Sequence, residues 1–174
     1  MSAQAQSNIV YAVEYNQSTN RFGTINLYNG SFTKISSFGN VMINDIAFCP
    51  TNEMLYGISN SLALVTFNKT NGAMTRVATI SVTGIESLAF RPGDGALFGA
   101  TQSKLYTINP ANGTATLIGS YGTPQNLGTT GQNIRFAQDG NLYVSNTSTT
   151  PIFIGSAPRA APPRGWGKPS DFPT

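Results

Sequence analysis

Six oxygen-bearing side chains occupy two adjacent positions of a pattern that recurs along the chain. Asn44, Glu86 and Gln132 hold the first position, and Asp45, Ser87 and Asn133 the second. Phe48, Phe90 and Phe136, each four residues beyond the first position, set the alignment. Amide, hydroxyl and carboxylate oxygens are hard donors, suited to Ca²⁺ or to the hydroxyls of a polyol. Asp45 and Glu86, if brought together, could share general acid and base work. The plainer assignment is that all six cap strand ends and satisfy backbone amides and ordered water, because polar groups facing a channel need partners in any case. No nucleophile, second nearby acid or metal motif accompanies them, so no catalytic residue is assigned. No cofactor is expected, and Ca²⁺ is the one ion that the donor set would suit.

Other chemistries lack their side chains. The 174 residues contain no histidine, which excludes Ser-His-Asp and Cys-His catalysis and His-ligated zinc or haem. A single cysteine, Cys49, rules out an intrachain disulfide and a CxxC metal knuckle. Cys49 aligns with Arg91 and Ala137, so it is expected at a strand end, partly shielded. The net charge of +3 gathers near the C-terminal end, where Arg159, Arg164 and Lys168 face Asp171 alone. The preceding 158 residues hold seven basic and six acidic side chains, leaving no basic stripe to track phosphates. No nucleic-acid partner is expected. No stretch nears the ~20 apolar residues of a transmembrane segment, and Met1 to Ser7 lack a signal-peptide pattern. The low-charge, Asn- and Thr-rich surface leans toward secreted bacterial proteins, so an extracellular or cell-surface location is the expectation.

The elements that position the six donors follow from internal repetition. Asn26-Leu27-Tyr28-Asn29-Gly30, Asn68-Lys69-Thr70-Asn71-Gly72 and Asn109-Pro110-Ala111-Asn112-Gly113 share the form Asn-x-x-Asn-Gly, with steps of 42 and 41 residues between the glycines. A second motif runs out of phase with it. Its copies are Phe48-Cys49-Pro50 to Leu55-Tyr56-Gly57, Phe90-Arg91-Pro92 to Leu97-Phe98-Gly99, and Phe136-Ala137-Gln138 to Leu142-Tyr143-Val144, with a partial copy at Val10-Tyr11-Ala12. Only 10% of residues are charged, while eighteen are Gly and ten Pro, a mix that suits short strands and tight turns better than helices. Each period divides into four such strands with Asn-Gly supplying the positive-φ turn. Four antiparallel strands in about 40–45 residues is the spacing of a propeller blade. The recurring Tyr11, Tyr56, Phe98 and Tyr143 are expected in the core or between blades.

The fullest copy, Leu105-Tyr106-Thr107-Ile108-Asn109-Pro110-Ala111-Asn112-Gly113-Thr114-Ala115-Thr116-Leu117-Ile118-Gly119, resembles the repeat of bacterial secreted β-propeller proteins of uncharacterised function. The likeness extends over residues 9 to about 147, with a more distant one to YVTN, NHL and gluconolactonase-type propellers. It implies a scaffold without implying a reaction. Gluconolactonase-like propellers use Glu, Asn and Asp at the channel mouth, which by analogy is where Asn44, Asp45, Glu86, Ser87, Gln132 and Asn133 would gather.

The expectation is therefore an all-β propeller of four-stranded antiparallel blades at about 9–39, 43–80, 85–121 and 132–150. A polar extension, 1–8, precedes them and a Pro/Arg-rich irregular tail, 151–174, follows. About three and a half blades do not close a ring, since closed propellers have roughly 4–8. Blade four is completed irregularly, or two chains pair into a larger ring as a homodimer, or the sequence is part of a longer propeller. The expected function is a non-enzymatic secreted or surface binding scaffold with a protein or glycan ligand. The alternatives are a Ca²⁺-dependent lactonase or hydrolase at the channel mouth, and a glycan-binding lectin with one pocket per blade.

Overall fold

A computed structural model describes residues 8–15, 19–120 and 133–145. Thirteen strands follow one another in these residues, and there is no helix among them. The first sheet holds β1 (Ile9–Glu14), β2 (Arg21–Asn26) and β3 (Phe32–Ser37). The second holds β4 (Ile43–Phe48), β5 (Leu55–Ser59), β6 (Ala63–Phe67) and β7 (Met74–Thr79). The third holds β8 (Ser87–Phe90), β9 (Leu97–Ala100), β10 (Lys104–Ile108) and β11 (Ala115–Ser120). The last described pair is β12 (Asn133–Phe136) and β13 (Leu142–Ser145). Within every sheet the strands pair antiparallel in chain order. Four-stranded antiparallel sheets are what the repeat predicts; residues 146–174, which hold the end of blade four and the tail expected at 151–174, lie outside the described residues.

Both asparagines of each Asn-x-x-Asn-Gly motif do the same work three times. Asn26, Asn68 and Asn109 accept the N–H two residues on, from Tyr28, Thr70 and Ala111, at 2.8–2.9 Å. Asn29, Asn71 and Asn112 accept from Ser31, Ala73 and Thr114 at 2.9–3.0 Å. These side-chain turns compete with strand pairing and so end β2, β6 and β10 where the motif begins. The glycine that follows takes φ near +70° in all three copies. At Gly72 and Gly113 there is a further demand, because the turn lies against the previous blade. Ser36 Oγ donates to the Gly72 carbonyl, Ser81 N–H donates to the Gly113 carbonyl, and a Cβ on Gly113 would run into the Thr79 backbone.

The core lies between the sheets rather than within any one of them. Phe22, Leu55, Ala63, Val65 and Phe67 fill the space between blades one and two. Tyr56, Ile58, Leu64, Ile80, Ile85, Leu88 and Phe90 fill the next interface, and Phe98, Ala100, Ile134, Leu142 and Val144 the third. Every residue of β5, β6, β8 and β9 is buried, whereas β7 and β11 are largely exposed. The sheets of blades two and three therefore present both faces to neighbours and only their outer edges to water, the reason their buried strands read as almost continuous apolar runs.

The recurrent aromatics carry these interfaces. Tyr56 packs on Phe90 with ring centroids 5.1 Å apart, and Phe98 meets Phe136 at 5.0 Å in the equivalent place one blade further on. Tyr11 instead stacks on Phe22 of its own sheet, and Phe48 is 49% exposed with the Lys69 ammonium over its ring. Tyr143, the last member of the series, is 44% exposed and contrasts with the packed role expected of it. Tyr56 and Phe98 are covered by the inner strand of the following blade, and no such strand follows β13 among the described residues. Cys49 is also more deeply placed than its repeat position implied: it is buried in the core between blades two and three, with Sγ 3.3 Å from Thr51 Oγ1.

Candidate functional site

β4, β8 and β12 are the first strands of successive blades and run side by side, β4 beside β8 and β8 beside β12. That juxtaposition brings Asp45, at the start of β4, to the start of β8. Ser87 Oγ–H donates to Asp45 Oδ2 at 2.6 Å, and Leu88 N–H donates to the same oxygen at 2.9 Å. One blade on, the Ser87 oxygen accepts the N–H of Ile134 at 3.1 Å. Leu88 and Ile134 hold equivalent positions of the repeat, so the side chain at this position of one blade binds the second residue of the next inner strand. Asp45 and Ser87 thus form a relay that ties three blades together near their shared axis.

Arg135 closes the relay. Its guanidinium takes Asp45 in a two-pronged grip, Nη2 to Oδ1 at 2.9 Å and Nη1 to Oδ2 at 3.0 Å. Nη1 also donates to the carbonyls of Leu88 and Ile134, at 3.1 and 2.7 Å. Asp45 Oδ1 accepts a further bond from Ile46 N–H at 2.8 Å. The Asp45 side chain is only 9% exposed, while that of Arg135 is 56% exposed. A carboxylate this shielded needs its full set of donors, and it has five. A cation brought to Asp45 would meet the Arg135 charge, so this carboxylate is a poor anchor for Ca²⁺.

The neighbouring row behaves differently. The pairing of β4 with β5 shifts between Ile43 and Asp45, leaving Asn44 as the extra residue, exposed at the blade-two mouth. Glu86 stands at the same point before β8, where its N–H donates to the Ala100 carbonyl at 2.9 Å. Glu86, half-buried, lines a cleft with Val82, Thr83, Gly84, Thr101–Lys104 and Tyr106. Asn44 is not among the residues of that cleft. Asn133 is exposed at the head of β12, and Gln132 lies outside the described residues. Three or more acidic, cysteine or histidine side chains do not gather anywhere among the described residues in a way that could hold a metal ion.

Of the six expected donors, then, Asp45 and Ser87 are brought together, Glu86 faces a separate cleft, and Asn44 and Asn133 stand at other blades' mouths. Arg135 is the residue that the repeat-based reading overlooked. A signal existed: its equivalents are Ala47 and Ala89, both buried, so a guanidinium at that position breaks the pattern. The cleft residues 101–104 and Tyr106 carried no comparable mark.

No family model matches the chain, and no curated protein matches it in sequence. Solved structures do match in fold. A protein of unknown function from Bacteroides thetaiotaomicron superposes with a TM-score of 0.63 at 20% identity, over 80% of this chain and 40% of that one. A chain of a nidogen/laminin complex gives 0.61 at 13% identity, over 85% and 56%. A gluconolactonase of Xanthomonas campestris gives 0.52 at 17% identity, over 76% and 43%. The neighbours are propellers, and the sheets described above are the blades of an incomplete β-propeller of about three blades. The chain spans roughly half the length of these neighbours, and at such identities the likeness is one of fold alone.

Proposed function

We propose that this chain is a non-enzymatic binding scaffold, secreted or held at a cell surface, that works as part of a larger propeller. The carrying observation is the fate of Asp45. Its two oxygens are taken by backbone N–H groups, Ser87 and Arg135, so it has no lone pair directed at a substrate and no partner carboxylate. Hydrolysis by a pair of carboxylates would need a second acid beside Glu86, and none is among the described residues lining its cleft. The same commitment of Asp45 weighs against a Ca²⁺-dependent lactonase. What is left at the mouth is a set of loops bearing polar side chains, the usual equipment of a recognition face.

The scaffold reading includes completion by a second copy. Asn133 occupies the relay position held by Asp45 and Ser87, each of which accepts an N–H from the next inner strand, and among the described residues Tyr143 lacks the inner-strand cover that Tyr56 and Phe98 have. Both features suit a following blade. Two chains that each span about half of a neighbouring propeller would supply one, head to tail.

Two measurements test these statements. Incubated with sugar lactones and aryl esters in Ca²⁺, the protein is expected to give no turnover above the uncatalysed rate; Ca²⁺-dependent hydrolysis abolished by Glu86→Gln would refute the non-enzymatic reading. Light scattering after size exclusion is expected to give twice the 18.4 kDa chain mass. A stable monomer would refute completion by a second copy.

A further inference from the structure

The mouths of blades two and three are built on equivalent strands, and besides Glu86 in place of Asn44 four differences shape them. Gly84 stands where blade two has Met42, Lys104 where it has Ala63, and Tyr106 where it has Val65. The link from Ala100 to Leu105 is also one residue shorter than its counterpart from Ile58 to Leu64. Removal of the methionine side chain leaves open space at Gly84, where an added Cβ would meet nothing within 4 Å. The result is a cleft of about 460 Å³ beside Glu86, within the size range of small-ligand sites.

Between them, the polar groups around this cleft both accept and donate hydrogen bonds. Glu86 is half-buried, and neither it nor Lys104 enters an ion pair among the described residues. Tyr106 is 8% exposed and opens onto the cleft, yet no group among the described residues bonds its hydroxyl. The hydroxyl is not sealed inside the protein, so it can bond a group that displaces water from the cleft. Thr83 and Ser103 add two hydroxyls to the lining. One carboxylate and one ammonium leave the cleft without net charge.

We infer that the blade-three cleft binds a neutral polyhydroxylated molecule of monosaccharide or disaccharide size, which deepens the scaffold reading and rests on it. The Glu86 carboxylate accepts hydrogen bonds from two neighbouring hydroxyls of the ligand, Lys104 donates to a ring or hydroxyl oxygen, and Tyr106 completes the set from the floor. Each of these contacts matches a group that both gives and takes hydrogen bonds, the defining property of a sugar hydroxyl.

The test uses the full chain, ¹⁵N-labelled, titrated with glucose, galactose, maltose and cellobiose at concentrations up to the order of 10 mM. Saturable shifts are expected at Thr83, Gly84, Glu86 and Ser103 with at least one of these probes. Glu86→Gln and Tyr106→Phe should each weaken Kd about tenfold, with the rest of the spectrum unchanged, while Asn44→Ala leaves Kd unaltered. Saturation by glycine but by none of the sugars overturns the ligand class, and shifts confined to the blade-two mouth overturn the site. If no sugar saturates the protein, the cleft proposal falls while the scaffold reading stands. If a bound sugar or its lactone is converted to product, the scaffold reading falls while the cleft stands.

Discussion

Blades two and three are the two full blades among the described residues, and they are nearly superimposable in plan while differing in chemistry. Both carry the double Asn turn with a positive-φ glycine, both bury their second strands, and both present an aromatic from that strand to the next blade's inner strand. The differences sit at strand ends. Blade two has Asn44, Cys49 and Asn52 where blade three has Glu86, Arg91 and Asp94. The shared positions hold blades together; of these variable ones, Asn44, Asn52, Arg91 and Asp94 meet solvent and Glu86 lines the cleft, while Cys49 stays buried. Mutations should sort along the same line.

The largest effect is expected where a shared position also touches a neighbouring blade. Gly113→Ala forces a side chain into the left-handed region and into the Thr79 backbone, and together these should cost about 3 kcal/mol. Gly30→Ala has the same φ requirement but open space around it, so about 1 kcal/mol is expected. Urea unfolding of the two variants measures the difference, and equal losses would mean that turn geometry alone, not blade contact, keeps the glycine.

The relay comes next. Asp45→Ala leaves the Ser87 hydroxyl, the Leu88 N–H and the Arg135 guanidinium without their acceptor and should destabilise by about 2–3 kcal/mol. Asn44→Ala, one residue away but exposed, should stay within about 0.5 kcal/mol. Arg135→Ala belongs between these, at about 0.5–1 kcal/mol, because the guanidinium is largely in water and its loss leaves Asp45 three other donors. A large loss for Asn44→Ala, or none for Asp45→Ala, would reverse the roles given to the two rows.

The fold was legible because its instructions are local and repeated: the Asn-x-x-Asn-Gly turns and the phased aromatics each state the same strand ends three times. The site was less so. Aligning the repeats placed Asp45 with Ser87 and Asn44 with Glu86, but the bulge that sets Asn44 apart is a property of strand pairing, not of residue type. Cys49 shows the same limit. It aligns with Arg91, yet the thiol stays in the core while the guanidinium extends over the Phe98 ring and to Asp94. Equivalent backbone positions share a place but not a depth, since side-chain length decides which surroundings are reached.

The smallest effect expected separates the blades by pH. Asn52 and Asp94 cap the same turn, accepting the N–H of Met54 and Ala96 at 3.0 and 3.1 Å, but only Asp94 can titrate. The Arg91 guanidinium, hydrogen-bonded to Asp94, with the Ala96 amide adding to it, lowers its pKa from 3.8 to about 2. A carboxylate whose pKa falls on folding favours the folded state fully above its unfolded value, and that contribution is lost as pH drops from near 3.8 through about 2. Melting temperatures of the native chain and of Asp94→Asn should therefore differ slightly at pH 5, converge over that window, and coincide below it. The exposed position of the pair keeps the difference small and makes it shrink further in high salt. Carboxylates elsewhere titrate alike in both proteins and cancel in the comparison. Persistence of the gap below pH 2 would show that the aspartate acts through turn geometry, as Asn52 does in blade two, rather than through its charge.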